Sequence, residues 1–145
     1  MIKFLHASWA YLVILMFVIT LIDYVWAYVK NKVFDYNREF RLASFTLVVF
    51  SIQIILGLIT WFTSHYFEGI KHGQMGVYMK HATDRLLVLE HPVMMLIAWL
   101  LTFYGFKRMK KAMTSKKKYM AVILFYGLSF LLILGRIPWH TCLSK

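Results

Sequence analysis

Four long runs of apolar residues dominate the chain, and short polar or basic stretches separate them. The runs cover about residues 4–29, 40–62, 86–106 and 119–137. At a rise of about 1.5 Å per residue, each run is long enough to cross a hydrocarbon core of about 30 Å. The pattern therefore predicts four transmembrane helices.

The connections between the runs are too short to hold a second folded domain. Short connections place successive helices side by side in opposite directions. We therefore expect an all-α, polytopic membrane protein that forms one antiparallel four-helix transmembrane bundle over residues 1–145. The first run is longer than the apolar region of a signal peptide, which has about 7–15 residues, so we expect it to remain as the first transmembrane helix.

The composition supports a membrane protein. Hydrophobic residues make up 61% of the chain, above the roughly 45–50% that is usual for a soluble domain. The formal net charge of +11 fits basic loops that orient a membrane protein, and we expect no nucleic-acid partner because no soluble fold remains to present a basic face. Cys142 is the only cysteine, which excludes an intramolecular disulfide and a Cys-rich metal site.

The basic residues divide unevenly between the two ends of the predicted bundle. Eleven of the 17 Lys and Arg residues lie in or beside the first and third connections, namely Lys30, Lys32, Arg38, Arg41, Lys107, Arg108, Lys110, Lys111, Lys116, Lys117 and Lys118. The positive-inside rule places such connections in the cytoplasm. We therefore expect both termini on the outer, periplasmic side of a bacterial inner (plasma) membrane.

Two histidines within the apolar runs lie at similar depth. His6 is near the start of the first run and His91 is near the start of the third, so both are roughly 5–8 Å below the outer boundary in this topology. Ionisable side chains at such depth are costly in a bilayer and mark functional sites. Imidazoles at one depth on two helices can take the opposite axial positions of a haem iron. The C-x-x-C-H signature of covalently attached haem is absent, so His6 and His91 are the predicted ligands of haem b. The alternative for each is an interfacial or interhelical contact without a cofactor.

Two residues at the outer end of the last run are candidates to complete such a site. The planar guanidinium of Arg136 matches the carboxylates of haem propionates. The Trp139 ring is a candidate to line the haem pocket. Without a cofactor, Arg136 is a snorkelling interfacial arginine and Trp139 belongs to the aromatic belt. Glu90 and Asp84 are candidates to accept a histidine ring N–H or to pair with Arg85.

Four further histidines lie outside the apolar runs: His65, His72, His81 and His140. We interpret the three in the second connection as solvated loop residues, because their spacing matches no strong copper or zinc motif. Asp23 and Gln53 are polar residues inside the runs. Helix capping or interhelical hydrogen bonds account for them more simply than a proton or quinone path.

Three short motifs relate the chain to a known family. They are Leu5-His6-Ala7-Ser8-Trp9 with Tyr11, Glu90-His91-Pro92 with Met95, and Arg136-Ile137-Pro138-Trp139. With the basic third connection and the order of the spans, they make the chain resemble a family of small four-helix membrane proteins of Bacteroidota labelled cytochrome b-like. The resemblance implies haem b binding with His6 and His91 as ligand candidates. A looser, class-level similarity extends to four-helix membrane enzymes that oxidise protoporphyrinogen and to copper-resistance membrane proteins.

Three functions are compatible with these features. The first is a membrane b-type cytochrome that passes electrons between a quinol or a partner subunit and an outer-side acceptor. The second is a non-catalytic accessory subunit of a larger respiratory or other membrane complex. The third is a haem-biosynthesis or copper-handling membrane protein. The residues favour electron transfer or a subunit role over a stand-alone enzyme.

Overall fold

The computed structural model describes residues 1–140, and these residues form helices and connecting turns without any β-strand. The helices in chain order are α1 (Ile2–Val29), α2 (Arg41–Phe62), α3 (His65–Lys71), α4 (Met75–Tyr78), α5 (Ala82–Arg85), α6 (His91–Lys111) and α7 (Ser115–Arg136). Two π-helical turns, Tyr36–Phe40 and Leu86–Glu90, lead directly into α2 and α6. The prediction of an all-α protein is confirmed.

Within residues 1–140, four continuous helical segments are long and apolar enough to cross a membrane. They are Ile2–Val29, Tyr36–Phe62, Ala82–Lys111 and Ser115–Arg136. The protein is therefore a multi-pass membrane protein, as the hydrophobic runs predict. Several helices extend past the predicted ends, and α6 continues through the basic residues to Lys111. Cations in the last turn of a helix interact favourably with its dipole, so the helix continues where the apolar run stops.

The four long helices form a closed ring. Helix α1 packs against α2 and α7, and α6 packs against the same two neighbours. Helices α1 and α6 are therefore diagonally opposed. A side chain of α1 that meets one of α6 does so across the interior of the bundle, which is the arrangement on which the candidate site depends.

Hydroxyl groups and aromatic rings join the helices in the interior. Thr20 and Thr46 share a hydrogen bond of 2.6 Å between α1 and α2, and the Tyr126 hydroxyl donates to the Ala43 carbonyl at 2.8 Å. The Phe17 ring stacks on Phe130 with centroids 5.8 Å apart. Such bonds hold the helices in register where lipid supplies no hydrophobic force between them.

The end of the bundle near the third connection is basic. Lys118 is 7% exposed, and its ammonium group donates to the Met109 carbonyl at 3.0 Å, which fastens α7 to α6. Other cations of this end lie over aromatic rings, as Lys107 does over Phe103. Helix α6 has 21 residues and spans about 30 Å at 1.5 Å per residue. His91 and this basic surface therefore lie at opposite ends of the helix.

Candidate functional site

A proline determines the local structure just before the histidine end of α6. Pro92 has no N–H, so it cannot donate to the carbonyl of Val88 as an ordinary residue would in an α-helix. The Trp61 indole N–H donates to that carbonyl instead, with 3.0 Å between nitrogen and oxygen. This bond ties the π-helical turn Leu86–Glu90 to the end of α2. It therefore fixes the position from which His91 extends into the bundle.

His91 is held by a backbone acceptor from the neighbouring helix. Its Nδ1 atom lies 2.7 Å from the carbonyl oxygen of Arg136, the last residue of α7. The last four carbonyls of a helix lack intrahelical donors, so this oxygen is available. Because a carbonyl only accepts, Nδ1 carries the proton and Nε2 keeps a lone pair. Metal-binding histidines typically have this arrangement.

His6 packs against α2 at a glycine. A Cβ atom added at Gly57 would lie 3.1 Å from Cε1 of His6, so the ring occupies the space that the missing side chain leaves. One helical turn earlier, the Gln53 amide donates to the His6 carbonyl at 3.0 Å. Gln53 and Gly57 thus form a shelf on α2 that positions the residue and its ring.

Two polar atoms at this shelf are buried without a hydrogen-bond partner in the described part of the chain. They are Nδ1 of His6 and the side-chain oxygen Oε1 of Gln53. A buried unsatisfied polar atom costs about 1–3 kcal/mol. Such atoms are uncommon in packed cores, and a water molecule, an ion or another bound group would satisfy them.

The two histidine rings meet across the bundle. Their centroids are 6.4 Å apart, and the ring planes are at 83°. Both rings line a cavity of about 440 Å³, within the range of about 300–1,000 Å³ that is usual for cofactor and small-molecule sites. Most of its wall is apolar and comes from α1, α2, α6 and the end of α7, including Ala10, Phe50, Ile54, Met95 and Ile133.

The cavity opens among polar side chains. Lys3 and His65 line it and are exposed, so they mark its opening. Tyr66 also lines it, and its hydroxyl donates to Asp84 at 2.9 Å. Burial and this hydrogen bond raise the pKa of Tyr66 above its usual value. The phenol therefore stays neutral at physiological pH, and no anion is added at the opening.

The structure brings His6 and His91 together but leaves two other candidates away from the cavity. Arg136 places its guanidinium 3.6 Å from Glu90, and Glu90 also pairs with Arg85 at 2.9 Å. Trp139 is 40% exposed, and its indole N–H donates to the Leu134 carbonyl at 3.2 Å. Neither the Arg136 nor the Trp139 side chain lines the cavity. Their predicted contacts with a cofactor stay predictions.

The carboxylates near the site differ from the expected arrangement in one respect. Glu90 pairs with Arg85, which is one of the two contacts that the sequence suggests for this carboxylate. Asp84 accepts from Tyr66, and the acceptor of the His91 ring is the Arg136 carbonyl. The Arg136 backbone oxygen is thus the acceptor of the His91 ring N–H, a role for which the sequence offers the Glu90 and Asp84 carboxylates as candidates.

The other histidines do not assemble a metal site. Within residues 1–140, no group of three or more His, Cys, Asp or Glu side chains is placed to hold a metal ion. His72, His81 and His140 are exposed. The His65 ring packs against Tyr66 with ring centroids 4.0 Å apart and the ring planes at 37°. Cys142 lies outside the described residues.

Two residues of the site, Lys3 and Gly57, have no assigned role in the sequence. Gln53 forms the interhelical hydrogen bond that the sequence favours, and the structure adds that its acceptor is the His6 carbonyl. Lys3 precedes His6 by three positions, a spacing that places two residues on one face of a helix. That spacing is a signal in the sequence for Lys3. Gly57 has the small-residue signal of a close helix contact, but that His6 makes this contact follows only from how α1 and α2 pack.

Comparisons with protein-family models, curated proteins and solved structures found no match to the chain.

Proposed function

We propose that this protein is a membrane b-type cytochrome that binds one haem b between His6 and His91 and takes part in electron transfer. The observation that carries the proposal is the approach of these two imidazoles across the bundle, with ring centroids 6.4 Å apart. The cavity around them supplies apolar walls and space.

The separation of the rings fits a shared metal ion. A bond from a metal to an imidazole nitrogen is about 2 Å long, and the centre of an imidazole ring lies about 1 Å from its nitrogens. Two imidazoles that held one ion between them would therefore have centroids about 6 Å apart. The observed 6.4 Å agrees with this spacing.

The donor set also fits. Two neutral histidines without a cysteine or carboxylate ligand are typical of a b-type haem, which needs no covalent attachment. The Nδ1–H of His91 is directed to the Arg136 carbonyl, which leaves Nε2 as the coordinating atom. The unpaired Nδ1 of His6 and Oε1 of Gln53 lie beside the same cavity.

When bound, the haem supplies reversible one-electron chemistry. The residues of the chain hold and tune it. The Arg136 carbonyl increases the basicity of His91 through the ring N–H, and Gly57 and Gln53 position His6. The apolar walls exclude water, and burial is one of the properties that set a haem potential.

The proposed location is the outer half of a bacterial inner membrane. The basic α6–α7 connection and the basic residues around Lys30 support a cytoplasmic position for that end. His6 and His91 then lie near the periplasmic face. A quinol or a partner subunit is the proposed electron donor, and the acceptor is on the outer side.

A second candidate is an accessory subunit of a larger membrane complex. The segment Ala82–Lys111 favours it, because only 17% of its most hydrophobic stretch is buried within the chain. Large apolar side chains such as Leu100 and Phe103 are exposed there. Lipid or another subunit can cover this face, and co-purification from native membranes distinguishes the two.

The proposal is tested by absorption spectroscopy. The full-length protein, purified in detergent and supplied with haem, should show a Soret band that shifts on reduction. His91→Ala should lose the band, whereas the matched variant His72→Ala, at an exposed loop histidine, should retain it. A folded wild-type protein that retains no haem absorbance after unbound haem has been removed would overturn the proposal.

A further inference from the structure

Lys3 is placed differently from other cations near the histidine end of the bundle. Arg85 and Arg136 both pair with Glu90, and Lys71 pairs with Glu68 at 2.9 Å. Lys3 forms no ion pair with any residue in the described part of the chain, and it lines the cavity that contains His6 and His91. Its charge is therefore available to a group inside the cavity.

The opening of the cavity carries a second potential donor. His65 lines the same cavity and is exposed, and neither of its ring nitrogens is hydrogen-bonded within the described residues. Ser64 and Tyr66 also line the cavity, but their hydroxyls already donate to the Trp61 carbonyl and to Asp84. Lys3 and His65 are thus the two described side chains at the opening whose hydrogen-bond donors have no acceptor within residues 1–140.

The cavity therefore has two chemically distinct parts. The inner part is apolar and contains the two imidazoles. The opening has a cation and a ring N–H donor, and none of its lining residues within 1–140 is a carboxylate. An ammonium group at an opening of this kind binds a carboxylate through a charge-assisted hydrogen bond. A ligand that suits both parts has a flat apolar body and at least one carboxylate at its edge.

We propose that Lys3, together with His65, forms a carboxylate-binding subsite at the opening of the cavity, and that it orients the ligand held between His6 and His91. The inference rests on the proposed function, in which the ligand is haem and the carboxylates are its propionates. Lys3 then takes the role that the sequence favours for Arg136. An uncharged quinone has no carboxylate for this subsite to bind.

The experiment compares two porphyrins that differ only in charge. Iron protoporphyrin IX and its dimethyl ester are titrated into the detergent-solubilised, full-length protein, and the Soret band gives each dissociation constant. The variants are Lys3→Ala, Lys3→Arg and the control Lys80→Ala, an exposed lysine that does not line the cavity. Helix content and elution volume confirm that each variant is folded.

The wild-type protein should bind the free acid about tenfold more tightly than the ester, since a hydrogen bond to a charged group has about this effect. Lys3→Ala should remove that preference without changing the affinity for the ester, and Lys3→Arg should largely keep it. The control should behave as wild type. His65→Ala should reduce the preference in part.

Two failures are distinguishable. If wild type binds both porphyrins equally, or if Lys3→Ala keeps the preference for the free acid, the subsite is disproved while haem binding stands. If wild type binds neither porphyrin, the proposed function fails and the subsite fails with it.

Discussion

The Nδ1 atom of His91 on α6 lies 2.7 Å from the carbonyl oxygen of Arg136 at the end of α7. This bond uses a carbonyl that the helix itself cannot satisfy and directs the other ring nitrogen away from it. The His91 ring is thus held by a backbone carbonyl. His6 is instead positioned by the Gln53 side chain and by its packing against Gly57 on α2. The two ligand candidates should therefore respond differently to changes in their surroundings.

Substitution of Gly57 should disturb His6. In Gly57→Ala, the new Cβ would lie 3.1 Å from Cε1 of His6, so the ring must move by a few tenths of an ångström. We expect haem affinity to fall about tenfold, because metal ligands need accurate placement. Gly135→Ala is the control, since a Cβ there meets no atom of the described residues within 4 Å. Equal haem affinities in the two variants, measured by Soret titration, would show that the ring does not depend on this space.

Gln53 should tune the site through His6. Gln53→Met keeps the approximate size of the side chain but removes its bond to the His6 carbonyl and its unpaired oxygen. Loss of a group that supports a metal ligand typically weakens metal binding about 10–100-fold, so haem affinity should fall and the midpoint potential should shift. Gln74→Met, at an exposed glutamine, should leave both unchanged. A Gln53→Met protein with wild-type affinity and potential would remove Gln53 from the site.

The bond between Trp61 and Val88 should stabilise the bundle. In Trp61→Phe the Val88 carbonyl loses the indole donor beside Pro92, and loss of a buried hydrogen bond costs about 1–3 kcal/mol. The thermal unfolding midpoint in detergent should fall, with or without haem. Trp139→Phe is the comparison, because its indole is exposed and lies outside the cavity. If the midpoint falls no further in Trp61→Phe than in Trp139→Phe, this bond does not hold the start of α6.

The orientation in the membrane is testable by labelling. In a Cys142→Ser background, His72→Cys and Lys116→Cys place single thiols in the second and third connections. An impermeant maleimide should label position 72 in intact spheroplasts and position 116 only after permeabilisation, because the basic connection is expected in the cytoplasm. The reverse pattern would place the histidine end on the cytoplasmic side.

The sequence predicts distances along the helices better than directions around them. The four spans, and the similar depths of His6 and His91, follow from hydrophobic length and from the fixed rise per residue. The direction of each side chain depends on how the helices rotate and pack. For this reason the shelf formed by Gln53 and Gly57 could not be predicted from the sequence.

Arg136 illustrates the same limit. Its depth was predicted from its position at the end of the last run, and the structure does place it beside His91. Its guanidinium pairs with Glu90 outside the cavity, and its backbone carbonyl is the group that meets the imidazole. Lys3 lies near the same end of the bundle on α1 and lines the cavity. Only the packing of the helices shows that Lys3 lines the cavity.

Electron paramagnetic resonance of the ferric protein shows whether His6 and His91 bind the same iron. Two imidazole ligands give a low-spin ferric haem. If both histidines bind the iron, wild type should give a low-spin signal that is lost in His6→Ala and in His91→Ala and is retained in His72→Ala. A low-spin signal that persists unchanged in either His6→Ala or His91→Ala would contradict binding of the iron by both histidines.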